Sequence, residues 1–509
     1  MSERAARAFL DPVEERLAVL DRAILLAEWR LVTGASRRGS GPWQARRHRL
    51  LNAPGLLEST RAFRAAGYGG SLERRLTLLE RTTLETRIEQ EPEIVRLRGR
   101  LQSRVARYRP SWHGRRVSRI VPRTALRTSP DRRERRRAFY AEEPLYRALE
   151  DDLRRLVAVR NGNAREFGFR SYPEFRLSFD RLSVAQFEEL TEAALRHVAV
   201  EMRRCRDAFQ DRTGDRGWYP WDAPYEDHLA KGLSDAYFPG REMLRAVVDG
   251  VRGWGVPAAT LRFRVTRHDL ASGGLCLAPD PPRDVRVVIH PGNGGWLEYS
   301  VLFHEVGHAV HSASIRGRTH LLRWHEGVPG FGGFHEGIGE FFCLIPESEA
   351  WLRTRRHLPP EAIRSFRRAA SRSPLTNVAF LAHWTGLELG LYLRPNEDPA
   401  ERSRRLERRI FGFDAHPARS FADSFFIELP VYATSYLIAT LLRAQLSRAV
   451  RDQVGGPVWP NRKIGPWLID RWFRGGSSFD WLPRVREVTG APFGAAAFNE
   501  EMARALARH

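Results

Sequence analysis

The sequence predicts a mainly α-helical protein with one small β-sheet. Two observations carry that expectation. Apolar residues recur at helical spacing through most of the chain, and strand-like alternation is confined to residues 261–291. With 509 residues and 42% apolar content, the chain can bury a large core, as two or three domain-sized units or as one two-lobed body. A mean hydropathy of −0.45 and the lack of any apolar run of about 18 residues exclude disorder, a collagen-like fibre and a membrane channel.

Taken in order, residues 10–105 read as about three helices. Their apolar stripes are Leu17, Leu20, Ile24 and Leu25, then Leu76, Leu79 and Leu84, then Ile94, Leu97 and Leu101. Residues 106–131, rich in Pro, Arg and Ser, read as a long loop. Helical periodicity resumes from Arg132 to about Gly168, and the next helix starts at Ser183. Residues 211–240 look loop-rich, LRFRVTRH (261–268) and DVRVVIHP (284–291) read as strands, and the chain is helical again from Gly295. The N-terminal MSERAARAFLDPVEERLAVL is charged and amphipathic, unlike a secretory signal. Cys205, Cys276 and Cys343 are odd in number and far apart, so no disulfide framework is expected and a reducing, cytoplasmic setting fits.

The formal charge is +22, from 83 basic residues of which only Lys231 and Lys463 are lysines. Arginines alternate with glutamates in EERLAVLDR and ERRLTLLERTTLETR, the pattern of a solvated helical face. The densest run, Arg132-Arg133-Glu134-Arg135-Arg136-Arg137, is expected on such a face too. No zinc-finger spacing or aromatic-interleaved basic motif points to nucleic acid. A helical protein binding an acidic partner through its arginines is the non-enzymatic alternative.

The sharpest local signal is Val301-Leu-Phe-His304-Glu305-Val-Gly-His308-Ala-Val-His311. On a half-buried helix His304 and His308 lie one turn apart on one face, as two imidazoles must to share a metal ion. Glu305 projects beside them, where a carboxylate could deprotonate a metal-activated water and pass the proton to a leaving amine. A third ligand is expected from Gly333-Phe-His335-Glu336-Gly-Ile-Gly-Glu340-Phe-Phe, whose Glu336 and Glu340 share a helical face. Glu336 is the preferred ligand and Glu340 the acceptor that orients His304, with Glu326, His335 and His325 as rival ligands. His311 is expected to line the cleft or support a ligand, and Cys343 to lie in the core. A His-His-Glu set favours one Zn²⁺ per chain.

These segments resemble the gluzincin peptidases. LFHEVGHAVHSAS is similar to the metal helix of the oligoendopeptidase F and thimet oligopeptidase family, and GFHEGIGEFF to the third-ligand helix of the angiotensin-converting enzyme family. Residues 156–172 (LVAVRNGNAREFGFRSY), Trp221-Asp222 with Tyr225, Asp235-Ala-Tyr-Phe-Pro239, and Gly273-Gly-Leu-Cys-Leu with DVRVVIHP extend the resemblance over roughly residues 130–450. It implies a two-lobed helical clam-shell with a deep cleft and the sheet at its edge. The lobes would be residues 1–250 and a catalytic 251–509, the latter holding the sheet (about 260–291), the metal helix (about 297–314) and the third-ligand helix (about 333–345). It also implies a tyrosine donor to the oxyanion, matched here by Tyr432 and Tyr436 one turn apart. The histidine usual upstream of such tyrosines is replaced by Phe425-Phe-Ile-Glu428. The expected function is zinc-dependent hydrolysis of short peptides, with hydrolysis of an amide in a small metabolite or modified peptide as the alternative.

Overall fold

The computed structural model describes residues 2–268, 273–290, 295–323 and 332–507. The protein is mainly helical, as the periodicity predicts, with two small sheets. No helix among the described residues is long and apolar enough to cross a membrane, and the three cysteines form no disulfide.

The helices that position the site are α1 (Glu3–Val32), α2 (Gly70–Glu89), α3 (Glu143–Glu166), α4 (Trp296–Ser314), α5 (Gly332–Phe342), α6 (Pro360–Leu393), α7 (Ser424–Glu428) and α8 (Ala433–Gln453). Five helices, not three, occupy residues 3–107. The breaks fall at Ser40-Gly41-Pro42, Pro54-Gly55, Gly69-Gly70 and Glu91-Pro92, each a helix start or loop signal. Residues 106–131 are not a plain loop. They carry the hairpin β1 (Ser111–Trp112) and β2 (Arg115–Arg116) and a helix over Ile120–Thr128. His113 and Gly114 turn the hairpin with φ of 48° and 78°, the left-handed pair that tight hairpins require. Two-residue strands are too short to display alternation, which is why the sequence pattern hides them. Residues 211–240 likewise include a helix, Ala223–Lys231.

The second sheet has the order β3-β5-β4, from Arg264–Arg267, Gly274–Asp280 and Asp284–Ile289. The central β5 runs parallel to β3 and antiparallel to β4, with Cys276 opposite Val287. Val287 and Cys276 join the main core on the side of α4, while Val288 and Leu277 pack with Leu25 and Trp29 of α1. Both faces are covered, so Val285, Val287, Val288 and Ile289 are all buried and strict alternation is lost.

Several arginines expected in solvent are buried ion-pair partners. Helix α2 is enclosed nearly all round, with Arg74 and Arg75 buried, and Arg75 Nε donates to Glu14 Oε2 at 2.7 Å. Glu14 and Asp21, from the supposedly solvated face of α1, are buried too. In the run 132–137, Arg133, Arg136 and Arg137 are exposed, whereas Arg135 and its partner Asp222 are both 0% exposed. Asp222 accepts from Arg135 Nη2 at 2.9 Å and from Arg132 Nη2 at 2.6 Å. A fully buried carboxylate is tolerated only when paired in this way.

Asp222→Ala strands the Arg135 guanidinium without that partner and is expected to destabilise the fold by about 3–5 kcal/mol in urea unfolding. A loss below about 1 kcal/mol would show that the cation still reaches water.

Candidate metal centre

Helix α4 is apolar over most of its circumference, with Tyr299, Leu302, Phe303 and Val306 buried, and so its one polar face is set by packing. On that face His304 Nε2 and His308 Nε2 are 3.0 Å apart. Glu336 enters from α5, placing Oε2 3.1 Å from His304 Nε2 and 3.9 Å from His308 Nε2. The three candidate ligand atoms lie within 4.8 Å of one another, the one such group among the described residues. Ligands about 2.1 Å from a tetrahedral ion are separated by about 3.4 Å, so the donor set and its spacing fit zinc.

The helices meet this closely because glycines face the contact. A Cβ on Gly339 would stand 2.6 Å from the His304 ring, and one on Gly307 would stand 3.0 Å from Phe342. On the other side of α5, Cβ atoms on Gly333 and Gly337 would meet Ile438 and Leu442 of α8 at 2.5 and 2.7 Å.

Among the residues expected around the ligands, Glu340 Oε1 lies 3.7 Å from His304 Nδ1, an ion-pair rather than a hydrogen-bond distance. Burial opposes the His304 cation, but hydrogen bonds to Cys343 and Glu336 prevail and raise its pKa well above the usual value. Cys343 is buried, as expected, yet it also touches the metal face, a contact its apolar surroundings in the sequence conceal. His335 stacks on His308 with ring centroids 3.8 Å apart. His311 lines no cleft: it is fully buried between Phe334 and Phe473, because the apolar circumference of α4 extends to that position. The rival ligands His325 and Glu326 lie outside the described residues.

Glu305 is 8% exposed and rests against β4, where a Cβ on Gly274 would stand 2.5 Å from its Cγ. Burial pushes its carboxyl up to about 7; the His304 cation and the Cys276 amide lower it, and the Glu336 charge raises it. The Glu305 position beside the His304 and His308 face is where a general base would stand.

The two tyrosines have separate positions. Tyr432 OH donates to Glu336 Oε1 at 2.9 Å. Tyr436, with its ring 5.6 Å from that of Tyr432, stays a phenol because burial and then the charges of Glu336, Glu305 and Glu340 disfavour its anion. The turn that delivers them is clamped by residues that sequence reasoning missed. Arg160 of α3, fully buried, donates to Phe426 O at 3.0 Å and Ile427 O at 3.1 Å while pairing with Glu89 of α2. Glu388 of α6 accepts from Val431 N at 2.7 Å. Val431 has a φ of 60°, a left-handed conformation that strains a β-branched residue by about 1–2 kcal/mol. No local signal in the sequence links residues 89, 160 and 388 to this turn.

Fold and site together define a mainly helical protein whose two-histidine helix and glutamate helix converge on one group of three candidate metal ligands. Solved structures share the fold. An M32 carboxypeptidase from Deinococcus radiodurans R1 aligns over 98% of this chain and 99% of its own, with a TM-score of 0.68 and 16% identity. A Pyrococcus furiosus carboxypeptidase, described as Apo-Mg, aligns over 99% of each chain with a TM-score of 0.70 and 16% identity. No protein-family model and no curated protein matches the sequence.

Burial pushes Glu388 up to about 8, well above a free glutamic acid. The folded state therefore holds a proton that the unfolded chain releases, and stability is lost as pH rises from about 4.5 through 8. Relative to Glu388→Gln, the wild type should lose about 1.4 kcal/mol per pH unit across that window, read as a growing gap in thermal midpoint between the two proteins. A gap independent of pH would show that Glu388 is ionised throughout.

Proposed function

We propose that this chain is a zinc-dependent peptidase of gluzincin type, acting on short peptides with one ion held by His304, His308 and Glu336. The observation that carries the reading is the convergence of these three donors beside a separate buried carboxyl, Glu305, and a phenol, Tyr436. When bound, zinc supplies a Lewis acid that acidifies water and polarises a carbonyl. Glu305 takes the proton of the attacking water and returns it to the leaving amine. Tyr436 donates to the oxygen on which negative charge develops. Tyr432 instead fixes the Glu336 carboxylate through its 2.9 Å hydrogen bond, and Glu340 and Cys343 set the orientation of the His304 ring. Residues 1–250 and 251–509 form the two lobes flanking the substrate, in a cytoplasmic protein. The fold shared with two carboxypeptidases favours release of residues from the C-terminus among the modes of peptide cleavage.

A second reading has support from residue 425. Phe425, Phe426, Ile427 and Glu428 stand upstream of the tyrosines where the gluzincin pattern places a histidine, and the Phe425 ring lies 6.3 and 6.2 Å from those of Tyr432 and Tyr436. An oxyanion donor is thereby lost, as suits an amide other than an ordinary peptide bond.

Zinc-loaded wild type and Glu305→Gln, offered a mixed peptide library and analysed by mass spectrometry, test the reading. Glu305→Gln should retain one zinc and lose activity by about a hundred- to ten-thousand-fold. Zinc retention with no cleavage by the wild type would transfer the site to the second reading, and failure to hold zinc would overturn both.

The tyrosines separate in a different assay. Tyr436→Phe is expected to lower kcat by about a hundredfold or more with little change in KM. Tyr432→Phe is expected to weaken zinc binding by about 10–100-fold in chelator competition. The reverse pattern would exchange their roles.

A further inference from the structure

An aromatic strip leads away from the metal face. It starts at Tyr432, hydrogen-bonded to Glu336, and at Tyr436, and continues to the half-buried ring of Phe425. The Trp384 ring follows 4.5 Å from Phe425, and the Phe380 ring 5.1 Å from Trp384. Phe380 and Trp384 sit one turn apart on α6, and Phe425 and Leu429 are one turn apart across the end of α7. Phe380 is 49% exposed and Leu429 43% exposed, and among the described Phe, Tyr and Trp residues Phe380 alone is exposed. A contiguous apolar strip that runs from the candidate site to an exposed ring is the kind of surface that marks ligand binding.

We propose that Phe425, Leu429, Trp384 and Phe380 form a subsite for a bulky apolar side chain next to the scissile bond, making apolar and aromatic peptides the preferred substrates. This rests on the peptidase reading and names its substrate class. A carbonyl at the metal face lies beside Tyr436, and an extended peptide advances about 3.3 Å per residue, so a side chain one or two residues away reaches the strip. The ring at position 425 then has a task of its own: it joins the tyrosines to an apolar surface that an imidazole would interrupt with a polar edge. An aromatic or leucyl side chain gains area against these rings, an alanyl one gains little, and a carboxylate loses hydration.

The test uses N-blocked peptides carrying Phe, Leu, Ala or Glu on either side of the cleaved bond, with zinc-loaded wild type, Phe380→Ala and Trp384→Ala. The wild type should favour Phe and Leu over Ala by about tenfold or more in kcat/KM. Both variants should bring that ratio close to one. Loss of folding would lower all rates together and leave the ratio unmoved. In parallel, fluorescence polarisation follows binding of labelled Phe and Ala peptides to zinc-loaded Glu305→Gln, alone and combined with Phe380→Ala or Trp384→Ala. If the wild type cleaves nothing but Phe peptides bind more tightly, and the preference vanishes in the variants, the subsite stands and only the peptidase reading falls. Equal binding of the Phe and Ala peptides, or a preference that survives both variants, overturns the subsite.

Discussion

Everything at the candidate centre depends on the absence of side chains between α5 and its two neighbours. Gly307 and Gly339 let α4 and α5 approach until the His304 ring rests on the backbone of the opposite helix. Gly333 and Gly337 let α8 press against the far side of α5, where Ile438 and Leu442 occupy the space. Ligands from two helices can converge at about 3 Å only when the helix axes are this close, and Tyr432, at the start of α8, can reach Glu336 only because the third helix is equally near. One methyl group at any of these positions would push apart the three candidate ligand atoms.

This explains which parts of the site were legible in the sequence. His304, Glu305 and His308 are one helical turn, and Glu336 with Glu340 is another, so their shared faces follow from helical spacing. The preference for Glu336 as the third candidate rested on an acidic face thirty-odd residues downstream, and the structure places that carboxylate against both imidazoles. The turn before the tyrosines was illegible for the opposite reason. Arg160, Glu388 and Glu89 reach it from three separate helices, and nothing in their own neighbourhoods marks them. Helix content was legible because periodicity is local; the hairpin at 111–116 was not, because two residues per strand carry no period.

The arginines teach the same lesson about distance. Alternation of Arg with Glu within one helix describes which neighbours are available, and the fold selects others. Arg135 passes over the nearby Glu134 for Asp222, and Arg75 reaches back to Glu14. A guanidinium offers donors in several directions at the end of a long apolar stem, and so it can cross a core boundary and satisfy a buried carboxylate where a lysine would not. Buried acids in this protein accordingly follow two routes. Asp222 is paired with two arginines, while Glu388, facing a backbone amide, is pushed by burial up to about 8.

The clamp on the tyrosine turn bears on modularity. Both helices of candidate ligands, the sheet and the tyrosines fall within residues 264–453, a stretch that could be mistaken for a portable unit. Yet the carbonyls of Phe426 and Ile427 are gripped by an arginine from the first third of the chain, itself held by Glu89. Cut away from those residues, the turn would keep Glu388 on its strained Val431 and the Tyr432–Glu336 bond, but its two preceding carbonyls would lose the Arg160 donors. Grafting residues 264–453 elsewhere would therefore carry the candidate ligands without the grip on the tyrosine turn, and so the unit that shapes the site reaches back at least to α2 and α3.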